Sequence, residues 1–140
     1  MSPPYLAFKG DAEEWYPMLF VRLSRKHAKP SGRFSAMLDT GSSFCLFRSD
    51  IGRSIGIDVP SGTRQTIGGV VPGASADAYF HRVNLHIEAN WIFEIHAGFI
   101  EGFQSGALLG RRGFFDQFDV KFSHSVNPPT FEIEKIPVIH

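Results

Sequence analysis

Alternation of apolar and polar residues runs through most of the 140-residue chain, in short stretches bounded by glycine, proline and asparagine. A period of two predicts β-strands with one buried face. Strands are predicted over Pro17–Arg25, Arg33–Leu38, Phe44–Phe47, Arg64–Val70, Ala76–Ile87, Trp91–Phe99, Ala107–Leu109, Phe118–Ser123 and Thr130–Ile136. Many short strands with little helix predict an all-β closed sheet or barrel.

Two segments without alternation are predicted to be short helices. Ile51–Ile55 follows the capping residues Ser49 and Asp50 and stops at Gly56. Gly110–Gln117 is the second, expected to bury Phe114 or Phe115. An edge strand is also expected over Tyr5–Phe8, near the amino end.

One carboxylate stands at the end of a predicted apolar strand. Asp39 is followed by Thr40, Gly41 and Ser42, and hydrophobic sequence lies on both sides within the stretch FSAMLDTGSSFCLF. A carboxylate held between apolar segments needs hydrogen bonds or a charged partner. This position is therefore a candidate for chemistry.

Two further motifs accompany Asp39–Ser42 in a particular order. A glycine-rich hairpin segment reads Ile67-Gly68-Gly69-Val70, and a buried strand ends in Ala107-Leu108-Leu109-Gly110-Arg111. Over roughly Pro17–Ser123 this set resembles the retropepsin-like aspartic proteases, whose single-lobe members act as homodimers. The resemblance implies one domain over 1–140, a retropepsin-like closed barrel with a flap hairpin, and peptide hydrolysis.

The resemblance also implies how the chemistry is shared between two copies. Only Asp39 lies in an Asp-Thr-Gly motif, so the second carboxylate comes from the symmetry mate of Asp39. Like charges so close cannot both ionise, and the pair shares a proton and serves as acid and base. Asp39 then activates the water, and Thr40 locks the two loops by a hydroxyl hydrogen bond across the axis. The Gly41 amide and the Ser42 hydroxyl are expected to donate to the Asp39 carboxylate.

The other two motifs have supporting roles in the resemblance. The flap, formed by Ile67, Gly68, Gly69, Val70 and Gly73, would close over a peptide or protein substrate held in extended form. The segment Leu109, Gly110 and Arg111 would support the catalytic loop. Without the other motifs, these glycines also suit an ordinary wide hairpin turn.

The chain departs from the viral pattern at two places. Ser43 stands where the viral enzymes place an acid that pairs with the arginine at the position of Arg111, so this ion pair is expected to be missing and the dimer weaker. Pro72, in the flap, is expected to stiffen its motion.

Composition excludes several classes of function. The formal net charge is zero, which gives no electrostatic footprint for nucleic acid or an anionic membrane surface. The single cysteine, Cys45, excludes a disulfide framework and is expected to be a small buried hydrophobe. The six histidines have no accompanying carboxylate cluster, so neither a metal nor a cofactor is expected. No signal peptide or spanning segment is visible, which favours a cytoplasmic protein or a domain of a longer chain.

Three functions remain open: a homodimeric aspartic endopeptidase, a dimeric peptide- or protein-binding module with little or no turnover, and a structural dimerisation domain. All three involve a two-fold dimer, and the fourteen phenylalanines exceed what one small core needs. Tyr5–Phe8 and Thr130–Ile136 are the segments expected to pair across the axis.

Overall fold

The computed structural model describes residues 6–7, 15–71, 73–87 and 91–137. Within these ranges the chain forms eleven strands, one short α-helix and one turn of 3-10 helix. The strands are β1 (Leu6–Ala7), β2 (Trp15–Tyr16), β3 (Met18–Ser24), β4 (Phe34–Leu38), β5 (Cys45–Arg48), β6 (Thr63–Val71), β7 (Ala74–Ile87), β8 (Trp91–Ile100), β9 (Ala107–Leu109), β10 (Phe118–Ser123) and β11 (Thr130–Lys135). The helix α1 spans Ser49–Ser54, and the 3-10 turn spans Val59–Ser61.

Six strands close into a barrel. Their order is β3-β4-β9-β5-β8-β7, and β3 also pairs with β7, which joins the two ends of the sheet. The contacts of β4 with β9 and of β5 with β8 are parallel, whereas the other pairings are antiparallel. The predicted all-β closed barrel is confirmed.

The flap hairpin grows out of this barrel along one long strand. Along β7, Ala74–Phe80 pairs with β6, while Asn84–Ile87 pairs with β3. Opposite these two partners, β8 pairs with β7 from Ala78 to Ile87. Because β6 itself pairs only with β7 in the described sheet, the hairpin extends beyond the closed ring.

The barrel interior is filled by the inward residues that the alternation predicted. Leu19, Val21 and Leu23 of β3 are at most 2% exposed. Phe114 stacks on Phe118 with ring centroids 5.0 Å apart, and both rings are fully buried. The stacked phenylalanine rings therefore extend the hydrophobic core into the segment that follows β9.

The second predicted helix is wrong. The chain from 111 to 117 forms turns, and Phe114 is buried without any helix. Gly113 has φ +108°, a backbone conformation that no α-helix contains. The Gly113 amide donates to the Asp116 carboxylate at 3.1 Å, which closes a tight turn in place of a helical one.

The terminal strands lie in two separate small sheets. β1 pairs with β2 over two residues of each strand, and β10 pairs with β11 over six residues of each strand. Of the predicted strand Tyr5–Phe8, only residues 6–7 fall inside the described part, while Thr130–Ile136 is confirmed as β11. Among the described residues, no helix is long and apolar enough to cross a membrane.

Candidate active site

The end of β4 and the end of β9 hold Asp39 in place. β4 and β9 run parallel, with Leu38 beside Leu109, and the Asp39 amide donates to the Leu109 carbonyl at 3.0 Å. The loop that begins at Asp39 is thus attached to a buried strand rather than to a flexible turn. Such a backbone fixes a side chain more firmly than a free loop does.

Within the loop, the backbone folds back on the carboxylate. The Gly41 amide donates to Asp39 Oδ1 at 2.9 Å, and the Ser42 amide donates to the Asp39 carbonyl at 3.1 Å. The expected bond from the Ser42 hydroxyl to the carboxylate is wrong. This hydroxyl donates instead to the Phe44 carbonyl at 2.7 Å, and a hydroxyl has only one proton to donate.

The segment Gly110–Arg112 supports the loop through its backbone. The Arg111 amide donates to the Ser42 carbonyl at 2.9 Å, and the Arg112 amide donates to the Ser43 carbonyl at 3.0 Å. A Cβ at Gly110 would lie 2.6 Å from the Ser42 carbonyl oxygen and still closer to that of Phe44. Only glycine permits the backbone of this segment to approach the backbone of the Asp39 loop so closely.

Within the described part of the chain, the Arg111 side chain connects the ends of the loop by hydrogen bonds to neutral acceptors and makes no ion pair. Its Nη1 donates to the Thr40 carbonyl at 2.6 Å, and its Nη2 donates to the Ser43 hydroxyl at 2.9 Å. The guanidinium therefore keeps a bridging position although a hydroxyl replaces the acid of the viral pattern. Neutral acceptors give weaker bonds to a guanidinium than a carboxylate does.

A cleft of about 360 Å³, lined by both apolar and polar residues, lies beside Asp39. Three register neighbours on adjacent strands, Met37, Leu108 and Leu46, contribute to its lining. Phe103 and Phe44 add aromatic surface, and all of these belong to a second hydrophobic cluster, separate from the barrel core. None of these five residues was predicted to belong to the site.

A signal for this cleft was present in the sequence. Met37 alternates with the inward residues Ala36 and Leu38, so it lies on the outer face of β4, where a solvated strand would carry a polar residue. An apolar residue there indicates a covered or ligand-binding face.

Among the described residues that line the cleft, Asp39 has the only ionisable side chain. It is half-buried, while Thr40 and Gly41 are exposed at the tip of the loop. Oδ2 has no hydrogen-bond partner in the described part of the chain. One carboxylate oxygen is thus held by the backbone and the other is open.

The flap hairpin contributes to the same cleft. Ile67 and Gly68 line it from β6, and Gly73 turns the hairpin with φ +72°. Gly69 and Val70 lie in β6, which carries a register irregularity between Gly68 and Val71. Pro72, which was predicted to stiffen the flap, lies outside the described ranges.

Cys45 is buried, as expected, and is no candidate nucleophile. Burial raises the pKa of its thiol to about 12, so the thiolate is scarce at neutral pH. No group of three or more metal-ligating side chains occurs in the described ranges.

Comparison with known proteins identifies the fold. No family model and no curated protein sequence matches the chain. Among solved structures, a retropepsin-like aspartic protease from Rickettsia conorii superposes with a TM-score of 0.63 at 13% identity, covering 94% of this chain and 98% of that one. The protease of EIAV in complex with the inhibitor HBY-793 matches with a TM-score of 0.47 at 16% identity, covering 76% and 88%. The chain has a retropepsin-like fold.

Proposed function

We propose that the chain is an aspartic endopeptidase whose active site forms between two copies. The observation that carries this proposal is the Asp39 carboxylate, which lines the cleft while the Gly41 amide holds one of its two oxygens. In the proposed reaction, the pair of Asp39 side chains takes a proton from water as the water attacks the peptide carbonyl. The same pair then gives a proton to the leaving amine.

A second copy follows from the chemistry of one cleft. General acid and general base must both be near the scissile bond, and the described residues of one copy place a single ionisable group in the cleft. The exposed loop tip at Thr40 and Gly41 leaves Asp39 close to the surface, where an identical loop can approach. A two-fold homodimer of single-domain copies is therefore part of the proposal.

The substrate class follows from the walls of the cleft. Met37, Leu46, Leu108 and Phe103 favour an apolar side chain, and the hairpin bearing Ile67 and Gly68 favours an extended peptide beside it. The flap then excludes water and orients the scissile bond. No cofactor, nucleic acid or membrane enters the proposed reaction, and a cytoplasmic location belongs to the same proposal.

The alternative is a dimeric binding module with the same groove and little turnover. It is favoured by one observation, the neutral bonds of Arg111 to Thr40 and Ser43, which imply a weaker dimer than an ion pair would support. A weak dimer would leave few complete dyads at low concentration.

The proposal is tested by comparing wild type with Asp39→Asn. Asparagine is nearly isosteric, so folding and dimerisation measured by sedimentation should be unchanged, while cleavage of an unfolded protein substrate between pH 3 and 7 should disappear. The matched control is Asp58→Asn, which neutralises an exposed carboxylate that does not line the cleft and should keep full activity. Cleavage that persists in Asp39→Asn would assign the chemistry to another residue.

Mixing the two proteins tests whether two copies share one site. If wild type and Asp39→Asn pair at random in equal amounts, about one quarter of the dimers hold two carboxylates. Activity should then fall to about a quarter of that of wild type at the same total concentration, against about half for independent monomers. Peptide binding without cleavage by wild type at any pH would support the binding module.

A further inference from the structure

A second cleft, of about 460 Å³, lies next to the first and shares one wall with it. The shared wall is the Phe44 ring, which lines both clefts. Phe80 holds this ring edge-on, with centroids 5.1 Å apart, and the Arg112 guanidinium lies over it at 5.4 Å. The two clefts are therefore adjacent, and both contact the Phe44 ring.

One face of β6 runs along both clefts. Ile67 lines the first cleft, and Gln65 and Thr63 line the second. Alternate residues of a strand share a face and are about 7 Å apart. A peptide lying beside β6 would thus place one side chain in the first cleft, and the side chains two and four residues further along would reach the second.

Among the described residues, the second cleft is lined by two carboxylates, Glu94 and Asp116, and by one guanidinium, that of Arg112. Glu94 is paired with Arg82 at 3.2 Å, and the Asp116 carboxylate accepts the Gly113 amide at 3.1 Å. Arg112 is exposed, and its side chain has no carboxylate within ion-pair distance in the described ranges. His96 is the other ionisable group of the cleft. A guanidinium stacked on an aromatic ring is well placed for a carboxylate, since stacking fixes its plane.

We propose that the second cleft is an outer subsite that binds an acidic side chain of the peptide through Arg112. This inference rests on the proposed function, because it assumes that a peptide occupies the first cleft. It predicts substrates with an apolar residue beside Asp39 and Glu or Asp two or four residues away. The distal contact lies beyond Phe44, so it contributes to binding rather than to the chemical step.

The test uses peptides that share one cleavable core and carry Glu, Gln or Lys at the distal positions. Wild type should prefer the Glu peptides over the Gln peptides by about fivefold in kcat/KM, mainly through KM, as expected for an exposed charge pair. Arg112→Gln should remove this preference, and Arg112→Lys should retain part of it. The matched control is Arg64→Gln, which removes the same charge from the opposite face of β6 and should keep the preference.

Binding measurements separate this inference from the proposed function. Fluorescence anisotropy of the same peptides with Asp39→Asn reports the subsite without any catalysis. A Glu preference that depends on Arg112 in this variant supports the subsite even if wild type cleaves nothing. The subsite inference would be overturned by equal affinity for all three peptides or by no binding of any of them. It would also be overturned by a Glu preference that survives Arg112→Gln, or by a preference for Lys directed by Asp116.

Discussion

Replacing Gly110 by alanine should disrupt the support of the Asp39 loop. The added Cβ would lie 2.6 Å from the Ser42 carbonyl oxygen and closer still to the Phe44 carbonyl oxygen, whereas ordinary contact begins near 3.4 Å. Both obstacles are backbone atoms, so no rotamer change relieves them. The loop must move away from β9 as a unit.

The size of the effect follows from what that movement breaks. Overpacking alone costs roughly 1–3 kcal/mol. The displaced loop also strains the bonds from the Arg111 and Arg112 amides to Ser42 and Ser43, each contributing about 1 kcal/mol net. We expect a loss of about 3 kcal/mol in the free energy of unfolding, which for a domain of this size lowers Tm by roughly 10 °C.

Urea denaturation and calorimetry of Gly110→Ala measure this loss directly. The matched control is Gly32→Ala, because a Cβ there meets nothing within 4 Å and φ is not positive. This variant should equal wild type or gain a few tenths of a kcal/mol. An unchanged urea midpoint for Gly110→Ala would refute the close backbone contact between the loop and the end of β9.

Three other predictions test separate parts of the molecule. The Cys45 thiol is buried and its pKa is raised, so it should resist thiol reagents at pH 8 in the native protein and react fully in denaturant. Rapid labelling of the native protein would contradict this burial. Burial, with a smaller contribution from Arg22, lowers the pKa of His86 in the folded protein. On acidification, His86 therefore takes up a proton at a higher pH in the unfolded chain than in the folded protein. The free energy of unfolding should then fall as the pH drops below about 6.5. His86→Gln should flatten this decline and the exposed His96→Gln should not; equal slopes would exclude His86 as the cause. Gly68→Val, where a side chain meets open space, should preserve Tm but reduce peptide cleavage, and unchanged cleavage would show that the hairpin is no lid.

The strands were predictable because alternation reports directly on a buried face. β9 and β10 have the predicted bounds, whereas β3 is one residue shorter than predicted at each end and β8 is one residue longer at its carboxyl end. The segment 111–117 was not predictable in this way, since paired phenylalanines suit a helix as well as a turn. The positive φ of Gly113 decides between helix and turn. This residue is also tightly packed, since a Cβ there would lie 3.1 Å from Cys45 Sγ, and such packing is not visible in the sequence.

The candidate site was predictable as a motif but not as a surface. Asp39 and the Gly41 amide adopt the arrangement that the family resemblance implied. The choice of Phe44 rather than Asp39 as the acceptor for the Ser42 hydroxyl depends on the path of the loop, which the residue types do not specify. Phe44 was predicted only as part of a strand. Its role as a wall between two clefts arises from Phe80 and Arg112, which are distant in sequence.

The long strand β7 should show three levels of hydrogen-exchange protection along a single run of backbone. Ala74–Asp77 is bonded to β6 alone, Ala78–Phe80 lies between β6 and β8, and Asn84–Ile87 lies between β3 and β8 inside the closed ring. Amides in the first zone can exchange through local opening of the hairpin, whereas those in the last require global unfolding. We therefore expect the hairpin of β6 and β7 to open and close many times during the lifetime of the folded barrel, although both are built on the same strand.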